Sequence, residues 1–162
     1  MKKKFPQLCS INLTFKKKNI ATKINVKSLP VGYQSIISNG RFAIVGDEPI
    51  TGKGTDQGFS PEDLILAALA SCKVNTVRFI ARKKGWVIRD VDAQLELSVK
   101  RNPDRSLVST VQVALQIEGD LSDEQRAELL READACYVHR MITGGWNIAE
   151  AVPFAEKTAE TT

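Results

Sequence analysis

The segment from Ser60 to Gly85 constrains the fold most strongly, because it contains the signals that begin and end a long helix. Ser60 can cap the helix, Pro61 suits its first position, and Asp63 supplies the acid of a capping box. Lys84 and Gly85 can end it. Between these ends, apolar or small side chains recur at spacings of three and four residues: Leu64, Ile65, Ala68, Leu69, Cys72, Thr76, Phe79 and Ile80. We therefore predict one long helix with an apolar face.

Three short strands are predicted before this helix. The first covers residues 23–28, where apolar and polar residues alternate. Residues 33–38 and 41–46 flank Asn39-Gly40, a dipeptide that accepts the positive φ values of a tight hairpin turn. Residues 47–59 are rich in glycine and are predicted to form a loop.

A long hairpin and a second helix are predicted after the first helix. The two strands, joined at residues 102–104, place apolar residues at alternate positions: Ala93, Leu95, Leu97 and Val99, then Val111, Val113, Leu115 and Ile117. The second helix begins at Ser122 with Gln125 in a capping box. We expect it to carry Cys136 and Tyr137 on its apolar side and to end at Gly144-Gly145. Residues 146–154 are predicted to form a final strand.

This order of elements predicts an α+β fold, with antiparallel hairpins around a long central helix. A lone helix across two hairpins covers little of their surface, so part of the first helix is expected to need a partner chain. Small side chains on that helix suit the close approach of another helix or backbone: Ala67, Ala68, Ala70 and Ser71.

The positive charge of the chain is concentrated at one end. Residues 1–18 contain six lysines and no acid; removing these six from the 23 basic residues leaves 17, against 19 acidic residues, a net charge of −2. We predict a flexible basic tail over residues 1–19, a single domain over residues 20–155 and a C-terminal tail over residues 156–162. A nearly neutral body does not indicate nucleic-acid binding. No apolar run approaches the roughly 20 residues that cross a bilayer, so no membrane partner is expected.

The cysteine count favours a reducing compartment. The chain has three cysteines, an odd number, and Cys9 lies in the basic tail, where polar residues interrupt any apolar core of an export signal. We therefore expect a cytoplasmic protein. The only histidine is His139, and with no acidic cluster near it no metal site is expected.

Cys72 and Cys136 admit two interpretations, since both are placed on apolar helix faces. Each can be an inert, small core residue. If the two helices pack together, however, the same residues form a redox pair in which one sulfur is oxidised and the other resolves it.

Two segments of the chain resemble the OsmC/Ohr family of thiol-dependent peroxidases. The first runs from Phe59 to Cys72 and is followed by Arg82-Lys-Lys-Gly-Trp86; the second is Ala133-Asp-Ala-Cys-Tyr-Val-His-Arg140. The resemblance covers roughly residues 23–150. It implies an intertwined homodimer, with two long central helices among swapped strands, that reduces organic hydroperoxides and possibly hydrogen peroxide.

The resemblance also implies roles for individual residues. Cys72 matches the attacking thiol, Cys136 the resolving thiol, and Glu62 the glutamate ten positions before the first cysteine. No cofactor is implied, because an external dithiol of the lipoyl or thioredoxin type reduces the disulfide. Ten residues of helix span about 15 Å, so Glu62 can act on Cys72 only across a dimer interface. The alternative for Glu62 is an ordinary first-turn acid that interacts with the helix dipole.

The chain departs from the family at two places. Strongly active members have an arginine in the first strand or turn, whereas Leu29-Pro30-Val31-Gly32 stands here, and Tyr137 replaces the proline that usually follows the second cysteine. The alternative function is therefore an OsmC-like module without efficient peroxidase activity, which binds a small hydrophobic ligand at the dimer interface. A thiol–disulfide exchanger without peroxide specificity is a third interpretation. Among the three, the leading interpretation is an enzyme, a cysteine-based peroxidase.

Overall fold

The computed structural model describes residues 22–153. The predicted tails at residues 1–19 and 156–162, and Cys9, lie outside this range. The strands and helices follow one another along the chain: β1 (Asn25–Ser28), β2 (Ser35–Ser38), β3 (Ala43–Gly46), a 3₁₀ turn (Ile50–Gly52), α1 (Pro61–Lys84), β4 (Ile88–Arg101), β5 (Leu107–Gly119), α2 (Asp123–Asp134) and α3 (Tyr137–Thr143). The strands form two antiparallel sheets, β1-β2-β3 and β4-β5, so the α+β class with antiparallel hairpins is confirmed.

The β2–β3 hairpin is present, but its turn is displaced by one residue from the prediction. The N–H of Asn39 donates to the carbonyl of Phe42 at 3.2 Å, so Gly40 and Arg41 occupy the turn. The Asn39 side-chain oxygen accepts the N–H groups of Arg41 and Phe42, both at 2.9 Å. Only Gly40, with φ of 87°, takes the left-handed conformation that glycine allows.

The loop between β3 and α1 is organised by Asp47, a residue that the sequence analysis did not single out. Its side chain is buried, and its carboxylate accepts hydrogen bonds from the amides of Glu48, Thr55 and Gln57 and from the Thr55 hydroxyl at 2.5 Å. The Thr55 hydroxyl is the main cause that holds the pKa of Asp47 below its usual value; burial opposes it and the three amides add to it. This network fixes the loop that leads into α1.

Both predicted ends of α1 are confirmed. The Ser60 hydroxyl accepts the N–H of Asp63, and the Asp63 carboxylate accepts the N–H of Ser60, which completes the capping box. Gly85 ends the helix with φ of 70°. The C-terminal half of α1 packs into the core with α2 and one end of the β4–β5 hairpin, through six buried side chains: Val77, Ala81, Val91, Ile117, Leu129 and Ala133.

The β4–β5 hairpin extends well beyond this core. Opposed residues of the two strands share a face, since Val91 lies across from Ile117 and Leu95 across from Val113. The end at Val91 and Ile117 is buried, whereas Val113 is 40% exposed and Val99 is 51% exposed. An apolar sheet face therefore remains uncovered in one protomer.

The first half of α1 and its outer side are also largely uncovered. Ile65 is 56% and Phe79 is 64% exposed. By length and composition alone α1 could cross a membrane, and 22% of its most apolar window is buried. The expectation that no segment is long and apolar enough to cross a bilayer is therefore wrong. The core helices of soluble proteins are often as long and as apolar.

Two predictions for the C-terminal part of the chain are wrong. The second helix starts at Ser122 with the Gln125 capping box, but α2 ends at Asp134, and Cys136 adopts an extended conformation (φ −62°, ψ 157°) before α3 begins. Residues 146–153, the described part of the predicted final strand, form no strand and pair with neither sheet. The Trp146 indole instead donates to the carbonyl of Met141 at 2.8 Å.

We expect Leu129→Ala to lower the free energy of unfolding by about 2–5 kcal/mol, because it leaves a cavity among α1, α2 and the hairpin. Leu129 is 0% exposed, whereas the neighbouring Leu130 is 37% exposed and provides a matched control. Leu130→Ala should cost about 1 kcal/mol or less. Denaturant unfolding of both variants measures the difference, and equal losses would contradict this position for the core.

Candidate active site

Cys72 and Cys136 lie side by side, although they are far apart in sequence. Cys72 is half-buried in the middle of α1, and Cys136 is 2% exposed at the break between α2 and α3. Both are free thiols, and their side chains are neighbours, because the consecutive amides of Val138 and His139 each approach one of the two sulfurs. The structure thus brings together the two sulfurs that a redox pair requires.

The start of α3 contributes a backbone N–H group to each sulfur. The N–H of Val138 donates to Cys72 Sγ, and the N–H of His139 donates to Cys136 Sγ, each at 3.4 Å. Tyr137 occupies the first position of α3, where a backbone N–H has no partner within the helix. That position favours proline, so the family's proline and Tyr137 are both compatible with the break.

The surroundings of Cys136 oppose its ionisation. Burial is the main cause that raises the pKa of the Cys136 thiol above its ordinary value, and the adjacent Cys72 adds to the effect. The N–H of His139 and the positive charge of Lys73 act in the opposite direction. Cys136 is therefore a buried thiol that needs local help to become a nucleophile.

Lys73 is a charged residue of the site that the sequence analysis missed. Its side chain is 1% exposed, and its ammonium group contacts Asp134 Oδ1 at 2.9 Å and the Ala133 carbonyl at 3.2 Å. The available signals were a lysine directly after Cys72 on an apolar helix and an acid two residues before Cys136.

An open groove of about 420 Å³ lies beside Cys72. Its walls are formed by α1 and the start of α3, with mostly apolar and small side chains around the sulfur: Ala68, Ser71, Asn75, Thr76, Phe79 and Val138. The Thr76 hydroxyl donates to the backbone carbonyl of Cys72 at 2.8 Å and so does not compete for the sulfur.

Glu62 does not belong to this cluster in one protomer. It is exposed in the first turn of α1, separated from Cys72 by about 15 Å of helix rise. Within residues 22–153, no arginine donates a hydrogen bond to either sulfur. In the same range, no group of three or more His, Cys, Asp or Glu side chains is arranged to hold a metal ion.

The fold and the site define a mixed α+β protein in which two cysteines lie between α1 and the break before α3. Residues 54–150 match the OsmC-like protein family, which is more than half of the chain, and the protein belongs to this family. No curated protein matches the chain.

Solved structures of family members have the same fold. An OsmC-like protein from Mycoplasma pneumoniae is 21% identical, with a TM-score of 0.68, over 78% of this chain and 89% of that one. The organic hydroperoxide resistance protein OsmC from Legionella pneumophila is 21% identical, with a TM-score of 0.64, over 79% and 93%. The organic hydroperoxide resistance protein OhrB of Bacillus subtilis is 19% identical, with a TM-score of 0.56, over 75% and 89%.

The raised pKa of Cys136 predicts a loss of stability in alkaline solution. Because the folded state favours the protonated thiol, its contribution is present below the pKa of the unfolded thiol, about 8.5, and is lost as pH rises above it. With reductant present, the free energy of unfolding should fall as the pH rises above about 8.5. Cys136→Ser should flatten that decline, whereas Cys72→Ser should retain most of it. An identical slope in wild type and Cys136→Ser would contradict the prediction.

Proposed function

We propose that this protein is a thiol-dependent peroxidase that reduces organic hydroperoxides, with Cys72 as the attacking thiol and Cys136 as the resolving thiol. The observation that carries the proposal is the contact between two free thiols, one of them facing an open groove. Membership of the OsmC-like family and the shared fold with organic hydroperoxide resistance proteins support it.

The reaction has two steps on the protein. The Cys72 thiolate attacks one oxygen of the hydroperoxide, the O–O bond breaks, and the departing alkoxide takes a proton to leave as the alcohol. Cys72 is then a sulfenic acid, and the Cys136 thiolate attacks its sulfur and forms a disulfide. An external dithiol of the lipoyl or thioredoxin type restores both thiols by exchange, so no cofactor is needed.

The groove beside Cys72 favours an apolar substrate. Ala68, Phe79 and Val138 offer hydrocarbon contacts within reach of the sulfur, and an organic hydroperoxide can bury its alkyl part there. Hydrogen peroxide gains nothing from such contacts. Reduced thiols are also the state that a cytoplasmic location maintains, which is the location we propose.

A homodimer is part of the proposal. One protomer leaves the small-sided face of α1 and the distal β4–β5 face exposed, and a second copy of the chain would bury both. In an intertwined dimer, Glu62 of one chain would reach the Cys72 groove of the other. There its carboxylate would orient the hydroperoxide by accepting its O–H hydrogen bond.

Cumene hydroperoxide consumption with a dithiol reductant tests the activity. We expect Cys72→Ser to abolish consumption, because no other described sulfur faces the groove. Cys136→Ser should lose turnover and accumulate oxidised Cys72, since no partner resolves the sulfenic acid. Cys9→Ser is the matched control and should retain activity. Unchanged consumption by Cys72→Ser would overturn the assignment.

The cross-subunit role of Glu62 is tested by complementation. Glu62→Gln and Cys72→Ser dimers should each be strongly impaired. When the two variants are co-expressed at equal amounts and pair at random, half of the dimers are mixed. Each mixed dimer has one complete site out of two, so about one quarter of wild-type activity should be restored. An activity equal to the average of the two variants, or a single-chain mass by sedimentation, would contradict the shared site.

Two observations favour a second candidate function, an OsmC-like module that binds a small hydrophobic ligand without efficient peroxidase activity. Burial raises the pKa of Cys136, and no arginine of the described residues donates to either sulfur. This alternative predicts that wild type and Cys72→Ser bind a hydrophobic dye equally at the groove while neither consumes cumene hydroperoxide.

A further inference from the structure

Lys73 is a buried cation, which is costly, and it contacts the residues that directly precede Cys136. The side chain is 1% exposed, and its ammonium group has Asp134 at 2.9 Å and the Ala133 carbonyl at 3.2 Å. Replacing a buried ion pair by apolar groups often leaves a protein equally or more stable. Stability alone therefore does not explain a lysine at this position.

The Ala133 carbonyl connects Lys73 to Cys136. This oxygen accepts a hydrogen bond from Lys73 Nζ and another from the N–H of Cys136 at 3.3 Å. It belongs to the last turn of α2, where unpaired carbonyls carry partial negative charge and attract a cation. Lys73, which directly follows Cys72 on α1, thereby holds the turn that places Cys136 beside Cys72.

The positive charge of Lys73 is only partly neutralised. Its carboxylate partner belongs to Asp134, whose side chain is 71% exposed and therefore hydrated, while the ammonium group is shielded from water. The other titratable groups around it are Cys72 on α1, Cys136 at the break and His139 on α3. The field of the buried ammonium group thus acts on the Cys136 sulfur with little solvent screening.

We propose that Lys73 is a positioning residue for the cysteine pair: it fixes the turn before Cys136 against α1 and supplies the cation that stabilises the resolving thiolate. This inference rests on the proposed function, in which Cys136 must become a nucleophile.

The step that Lys73 assists is the closure of the disulfide. The sulfur of Cys136, as the thiolate, donates an electron pair to the sulfur of the Cys72 sulfenic acid. The S–S bond forms, the S–O bond breaks, and hydroxide leaves and takes a proton from solvent. The oxidising equivalents come from the hydroperoxide in the preceding step. A nearby cation lowers the cost of the negative charge on Cys136 before the attack.

The test measures the ionisation of Cys136 without any peroxide. In a Cys9→Ser, Cys72→Ser background, Cys136 is the only thiol, and ultraviolet thiolate absorbance follows its titration. We expect Lys73→Met to raise the pH midpoint by about one unit, which is about tenfold less thiolate near neutral pH, and Lys73→Arg to retain the midpoint. The proposal would be overturned if the Cys136 midpoint were the same with lysine, arginine and methionine at position 73. In that case the charge of the side chain would have no effect on the thiol, and Lys73 would have only a structural role.

A second variant keeps the test decisive if Lys73→Met does not fold. Asp134 is largely exposed, so Asp134→Asn should fold, and removing the carboxylate should strengthen the field of Lys73 and lower the midpoint. An unchanged or raised midpoint would contradict the proposal. The outcome is separate from peroxidase activity: a protein that does not consume cumene hydroperoxide but shows these shifts refutes only the proposed function.

Discussion

The site depends on one contact, that between Cys72 in the middle of α1 and Cys136 at the break between α2 and α3. If α2 continued as a regular helix, the chain would not present the amides of Val138 and His139 to the two sulfurs. The break therefore places both the second thiol and its hydrogen-bond donors. Lys73 holds the same turn from the α1 side through the Ala133 carbonyl.

Features fixed by local interactions could be predicted from the sequence. The capping boxes of α1 and α2, the glycine that ends α1 and the pairing of the two hairpins depend on residues close together in the chain. The helix break could not be predicted, because Leu129, Ala133 and Cys136 continue a helical spacing and no glycine or proline interrupts it. The roles of Asp47 and Lys73 were missed since their partners become neighbours only in the folded chain.

The other failed prediction also concerns uncovered apolar surface. Residues 146–154 were expected to form a strand, but the described part, residues 146–153, pairs with no strand edge within one protomer, and Ile148 is 84% and Val152 82% exposed. In the proposed homodimer a second chain would supply such an edge and cover α1. The same assembly would supply the Glu62 that one protomer cannot bring to its own Cys72.

Disulfide mapping after addition of one equivalent of cumene hydroperoxide to the fully reduced protein tests the account most directly. The account predicts one new bond, between Cys72 and Cys136 of the same chain, so that the denatured, unreduced protein migrates as a single chain. Cys72 recovered as sulfinic acid beside a free Cys136 thiol, or a disulfide that joins two chains, would contradict it.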